Sequence, residues 1–146
     1  RWEHEGRTLL ALPNLREGVV SVIDEARWEL VKSIATRGPG FFLASHENSP
    51  YLWGDVFFGP HQDLLHLIDK QSLEIVHTLR PEPGKRAAHV AFSAEGRHAL
   101  VSIWEEEGAL VVYDSASLEE INRIPMSRPT GKYSVISSFP RMRESM

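Results

Sequence analysis

Seven histidines and a set of dispersed aromatic residues are the side chains in this sequence with the means to do chemistry. The tightest histidine group, His61, Asp63 and His66, offers the nitrogen and oxygen donors that zinc accepts. Its first two members fall in a loop and the third alternates with leucines in "LLHLI", which is the pattern of turn and strand residues and not of a closed ligand set. A metal-dependent hydrolase would need His61 or His66 to point into a shared channel. Glu105, Glu106 and Glu107 sit on a hairpin tip and read as a solvated turn. There is no Gly-rich phosphate loop, nucleophile elbow or paired-carboxylate cleft. Phe42, His89 and Trp104 are more suggestive. Each alone reads as core or rim packing, but His89 lies on an expected inner strand, Phe42 on the equivalent strand one blade earlier and Trp104 at the end of a second strand, so that together they would form an aromatic wall.

The elements that position them follow from a repeat. "VSVIDEARWELVKSI", "LHLIDKQSLEIVHTL" and "VVYDSASLEEINRI" place Asp24, Asp69 and Asp114 at intervals of 45 residues. Each aspartate ends an apolar run, precedes a short polar turn and leads into another partly apolar run, the context of a side chain capping its own turn. A period in the forties without helical patterning indicates propeller-type repeats, each a small antiparallel sheet.

The third copy shows the unit most fully. "AAHVAF", "HALVSIW", "LVVYD" and "LEEINRI" read as four strands separated by polar or glycine-containing turns, the last half-exposed at the outside. The second repeats it as "GFFLAS", "YLWGDVF", "LLHLID" and "LEIVHTL", and the first begins inside the pattern with "RTLLALP". The expected fold is all-β: a partial β-propeller of three four-stranded antiparallel blades over residues 1–38, 39–84 and 85–135. Residues 136–146, "ISSFPRMRESM", follow neither alternation nor repeat and are expected to be disordered or foreign sequence. Three blades cannot close a ring, so the arc leaves sheet edges to be covered by further blades or another copy.

Composition excludes several classes. The chain has 146 residues and is 42% hydrophobic, enough for one globular domain with a moderate core. Its longest apolar runs, "GALVVY" and "DLLHLI", are strand-sized, far short of the ~18 residues of a membrane-spanning helix. The net charge of −4 is spread along the chain with no basic stripe, which argues against a nucleic-acid partner. Cysteine is absent, removing disulfides, thiol catalysis and any C-x-x-C-H haem attachment from this stretch. The start at Arg1, without methionine or an apolar leader, leaves open a processed protein or a fragment.

"GPGFFLASHENSPYLWGDVFF", "GKRAAHVAFSAEGRHALVSIW", "GALVVYDSASLEEI" and "RPTGKYSV" together resemble the end of the d-type haem propeller of cytochrome-cd nitrite reductases and their haem-biosynthesis relatives. The likeness runs over residues 8–135 and covers about the last third of that family's eight-bladed domain. It implies a segment of a redox propeller that binds d-type haem, with Phe42 as the aromatic against the haem, His89 as a polar side chain near it and Trp104 as an indole. It also puts Gly131 and Lys132 of the "PTGK" turn close to the macrocycle. Asn14 stands where the nitrite reductases carry a distal histidine, unless it is only a turn residue of "LPNLREG". The proximal iron ligand and several carboxylate-binding arginines belong to upstream blades. The resemblance further implies a periplasmic location, the remaining blades or a c-type cytochrome as partners, and an oxidoreductase of denitrification or d-type haem biosynthesis. The protein would be closer to a biosynthetic or accessory member than to a true reductase, and inactive as this fragment alone. A different class, a non-catalytic propeller scaffold that binds another protein through its rim or edges, is the alternative.

Overall fold

A computed structural model describes residues 1–132 of the chain. Twelve strands form three four-stranded antiparallel sheets, each paired in sequence order. The first blade comprises β1 (Trp2–His4), β2 (Arg7–Pro13), β3 (Val19–Asp24) and β4 (Glu29–Ala35). The second comprises β5 (Leu43–Ser45), β6 (Tyr51–Asp55), β7 (Leu65–Asp69) and β8 (Ile75–Leu79). The third comprises β9 (Ala87–Phe92), β10 (His98–Ile103), β11 (Ala109–Asp114) and β12 (Glu120–Pro125). No helix occurs among the described residues, and none is long and apolar enough to cross a membrane.

The repeat is legible in the hydrogen bonds. Asp24 Oδ1 accepts the amides of Ala26 and Arg27, Asp69 Oδ1 those of Gln71 and Ser72, and Asp114 Oδ1 those of Ala116 and Ser117. In each turn the residue four after the aspartate, Trp28, Leu73 or Leu118, bonds its amide back to the aspartate carbonyl at 2.8–2.9 Å. Each of these three has a positive φ, 57°, 56° and 63°, a conformation most side chains avoid and that a well-satisfied turn must hold in place. Just before each aspartate the third and fourth strands shift register, at Val22/Ile23, Leu67/Ile68 and Val112/Tyr113. One extra residue there sharpens the twist of every blade in the same way.

Neighbouring blades are joined by two apolar seams. Trp2, Leu9, Val20, Val22 and Ile34 of the first blade pack on Leu52, Ile68 and Leu73 of the second. Trp53, Leu65 and Leu67 of the second pack on Ala87, Val101, Val111 and Tyr113 of the third. The middle blade is therefore covered on both faces. Consecutive residues of β6 and β7 go to opposite seams, which is why "DLLHLI" reads as an unbroken apolar run and not as an alternating one.

Three expectations need correction. The first blade has a first strand after all, the three-residue β1, too short to show alternation. "GFFLAS" is a strand only from Leu43 on, so Phe42 precedes β5 instead of lying in it, and Trp104 lies just past the end of β10. The fourth strands are more exposed than half: in β12 five of six residues are open to solvent. The expected tail, residues 136–146, and the end of the third blade at 133–135 lie outside the described residues.

Candidate functional site

Strand direction alternates within a blade, so two kinds of loop share one end of the stack: those between second and third strands, and those leading from one blade into the next. Asn14, Phe42 and Trp104 belong to such loops, Gly131 and Lys132 to the segment that leaves β12 at the same end, and His89 lies close to the start of β9. The aspartate turns occupy the opposite end. Side chains far apart in sequence are thus gathered on one surface by topology alone.

At that end the second and third blades meet around a small apolar cavity of about 40 Å³. Phe42, His89, Trp104 and Gly131 line it together with Ala88, Ser102, Pro129 and Thr130. The rings of Phe42 and His89 lie 4.6 Å apart at 65°, an edge-to-face contact across the blade boundary. Phe57 continues the wall, with its ring 6.0 Å from Phe42 and 5.3 Å from Trp104. The Arg86 guanidinium lies 4.9 Å from the Phe57 centroid and 5.9 Å from that of Trp104.

His89 has a backbone φ of 53° at the place where β9 and β10 slip register, between Leu100 and Ser102. A bulge at a ligand-facing strand redirects a side chain, and a non-glycine residue in this conformation stores strain. Its Nδ1 accepts the Lys132 amide at 3.4 Å, leaving the ring proton on Nε2. Burial foremost, and then the Lys132 charge, hold its pKa below the usual histidine value. Lys132 donates from Nζ to Ser102 Oγ at 2.6 Å, and Ser102 in turn donates to the Thr130 carbonyl at 3.1 Å. Burial brings the Lys132 ammonium down to about 8.

Phe42, His89, Trp104, Gly131 and Lys132 are therefore brought together. Asn14 is not. It lies half-buried at the same end in the first blade, its amide closing the β2–β3 loop on the Val19 carbonyl at 3.0 Å, and it is not among the cavity's lining residues. Phe57, Arg86 and Ser102 were missed. Ser102 carried a faint signal, a lone hydroxyl in the apolar "LVSIW", whereas Phe57 meets Trp104 only across a blade boundary and Arg86 meets it only through the pairing of β9 with β10.

His61, Asp63 and His66 do not form a donor set. His66 Nε2 accepts the Arg37 amide at 3.2 Å and Nδ1 meets Thr78 Oγ1 at 2.9 Å, so both ring nitrogens are engaged. Burial, helped by the Arg37 and His61 charges, lowers its pKa to about 4. Asp63 Oδ2 accepts the Gly84 amide and faces Arg80 at 3.3 Å. No group of three or more His, Asp or Glu side chains among the described residues could hold a metal ion. A wider cleft of about 670 Å³ opens at the opposite end beside Trp2, His46 and Lys70. There Lys70 Nζ is already spent on the carbonyls of His46 and Ser49, at 2.8 and 2.6 Å.

A d-type haem is a flat, largely apolar ring with peripheral carboxylates, and the side chains at the first end fit it: aromatic faces for the ring, and Lys132 and Arg86 for the carboxylates. The cavity itself is far below the ~300–1,000 Å³ of a pocket that encloses a small molecule.

A model of the family described as "Cytochrome D1 heme domain" matches residues 1–138. The dihydro-heme d1 dehydrogenase of Pseudomonas aeruginosa is 56% identical over 134 residues, covering 92% of this chain and 27% of that relative. Protein NirF of the same organism is 28% identical over 120 residues, covering 82% of this chain and 30% of that protein. The solved structure of dihydro-heme d1 dehydrogenase NirN in complex with DHE superposes with a TM-score of 0.89 at 56% identity, over 90% of this chain and 28% of the other. The chain thus spans between a quarter and a third of these relatives. With three blades in the arrangement of the solved relative and the family match running through all of them, the chain belongs to the cytochrome D1 haem domain family and is a segment of its propeller.

Proposed function

We propose that this segment forms one wall of a d-type haem site in a redox propeller of the haem-biosynthesis or accessory kind, and that the complete protein is not a nitrite reductase. The observation that carries this reading is the convergence of Phe42, His89 and Trp104, from two blades, on one apolar cavity with Lys132 at its edge. A d-type haem, when bound, supplies a redox-active iron and macrocycle. The chain's own residues do the rest. Phe42, Phe57 and Trp104 offer ring faces that exclude water, and the Lys132 ammonium meets a peripheral carboxylate. Because burial lowers the Lys132 pKa to about 8, an anion beside it restores the charged form. His89, neutral with its proton on Nε2, offers a single donor.

Asn14 carries the distinction from the reductases. Nitrite reduction consumes protons, which a distal histidine can deliver near neutral pH; an amide can only hydrogen-bond. The same reading puts the protein in the periplasm, with the remaining blades and a c-type cytochrome as partners. Adding d-type haem to the full-length protein is expected to shift the haem absorption spectrum, with nitrite turnover remaining slow until Asn14→His raises it. An unshifted spectrum would favour the protein-binding scaffold instead. Fast turnover by the unmutated protein would overturn the exclusion of reductase activity.

A further inference from the structure

Asp55, the last residue of β6, is a buried carboxylate in the apolar run "YLWGDVFF", only 4% exposed. Its Oδ1 accepts two consecutive amides, Phe41 at 2.7 Å and Phe42 at 3.1 Å, while its own amide donates to the Phe42 carbonyl at 3.2 Å. The Phe42 backbone is thus held on both sides by one residue. Gly40 is shaped to the same contact, since a Cβ there would lie 2.7 Å from the Asp55 carbonyl oxygen. The carboxylate accounts for the shortness of β5. By drawing the amides of Phe41 and Phe42 to a side chain, it takes them out of the ladder that would extend the strand beyond Leu43, and frees the Phe42 ring to reach His89.

The anchor also reaches the blade boundary, where the ring of Phe42 that it holds meets the His89 ring at 4.6 Å. Burial dominates and raises the Asp55 pKa to about 6, and Oδ2 is buried with no hydrogen-bond partner. An apolar residue would avoid that penalty, so the carboxylate is kept at a cost. Its place in the repeat says what the cost is for. Asp55 pairs with Leu65 in the second blade as Ser102 pairs with Leu110 in the third, the two leucines being one repeat of 45 residues apart. Both buried polar groups hold an entry segment of the site, Asp55 holding Phe41–Phe42 and Ser102 holding Thr130 and Lys132.

We propose that Asp55 is a positioning residue for the haem-facing wall, its carboxylate fixing Phe42, whose ring meets His89 across the blade boundary, in the arrangement that meets the ligand. This rests on the proposed haem site, and two measurements on the full-length protein separate them. The first needs no haem. Amide exchange at Phe41 and Phe42 is expected to be protected in the wild type and in Asp55→Asn, which keeps an acceptor oxygen, and to lose protection in Asp55→Ala while the strands of the third blade stay protected. Unchanged protection in Asp55→Ala overturns the proposal whatever the haem result. The second is a double-mutant cycle on d-type haem affinity, read by absorption titration. Asp55→Ala is expected to weaken binding about tenfold, Asp55→Asn less than threefold, and Asp55→Ala to add little in a Phe42→Ala background. Additive effects, or a tenfold loss in Asp55→Asn as well, would mean that Asp55 does not act through Phe42. Failure of the wild type to bind haem would sink the proposed site, while the exchange data would still decide what Asp55 holds.

Discussion

At the scale of single residues, Lys132 is the group whose state a ligand should change most. Its pKa is lowered to about 8 by burial, below lysine's ordinary 10.5. The sign follows from linkage: between about 8 and 10.5 the unfolded chain binds more protons at this lysine than the folded one, so its contribution to stability improves as pH rises through that window. Binding of a carboxylate-bearing haem behaves oppositely, because it needs the ammonium. Affinity for d-type haem is expected to fall as pH rises above about 8 in the wild type, and to lose that dependence in Lys132→Met. Titrations between pH 7 and 10 check this, and identical pH profiles for the two proteins would remove Lys132 from the carboxylate contact. His66 is the counter-example. Two hydrogen bonds and a pKa of about 4 make it a neutral strut from β7 to β8 and to the segment after β4, which its spacing from His61 and Asp63 could not reveal.

At the scale of elements, the aspartate turn is the repeating fastener. Asp24 is its most buried example, 3% exposed, and receives the amides of Ala26 and Arg27 at 2.9 and 3.1 Å. Asp24→Ala is expected to destabilise by ~2 kcal/mol, since it strips the acceptor from two amides, and Asp24→Asn by less, as one oxygen remains. The shift in urea midpoint measures both, and equal losses would mean that charge rather than turn bonding matters. These turns were readable in the sequence because their bonds are local and recur with the period. Of the candidate site residues, Phe42, His89 and Trp104 stood out in the sequence as side chains on or ending expected strands, whereas Gly131 and Lys132 came only from the family resemblance; blade topology puts all five at one end of the stack. Asp55 was not readable, because its bonds skip 13 and 14 residues and its effect is to end a strand that propensity would continue. β1 was missed for want of length, and Phe57, the neighbour of Trp104, because it lies in another blade.

At the scale of the whole molecule, the equivalent turn residues report where neighbours belong. Leu73 is buried in the seam with the first blade, and Leu118 packs against the seam with the second. Trp28, their counterpart, is 71% exposed, and Leu30 beside it 62%. In a chain that spans 27% of its dehydrogenase relative, this face is expected to seat another blade of the full-length protein. Trp28 is expected to be shielded from acrylamide quenching in the full-length protein and open in the isolated segment, which should self-associate through the same face. A clean monomer at high concentration by light scattering, or equal quenching in both forms, would argue against this seat.

The central claim is that the aromatic wall of the second and third blades meets a d-type haem. Its most direct test is the dissociation constant of d-type haem for the full-length protein, compared between wild type, Trp104→Ala and the control Trp28→Ala, which lies at the opposite end of its blade. The account predicts a loss of at least tenfold for Trp104→Ala, from the ring face it removes, and less than twofold for Trp28→Ala. Equal affinities for all three proteins would contradict it.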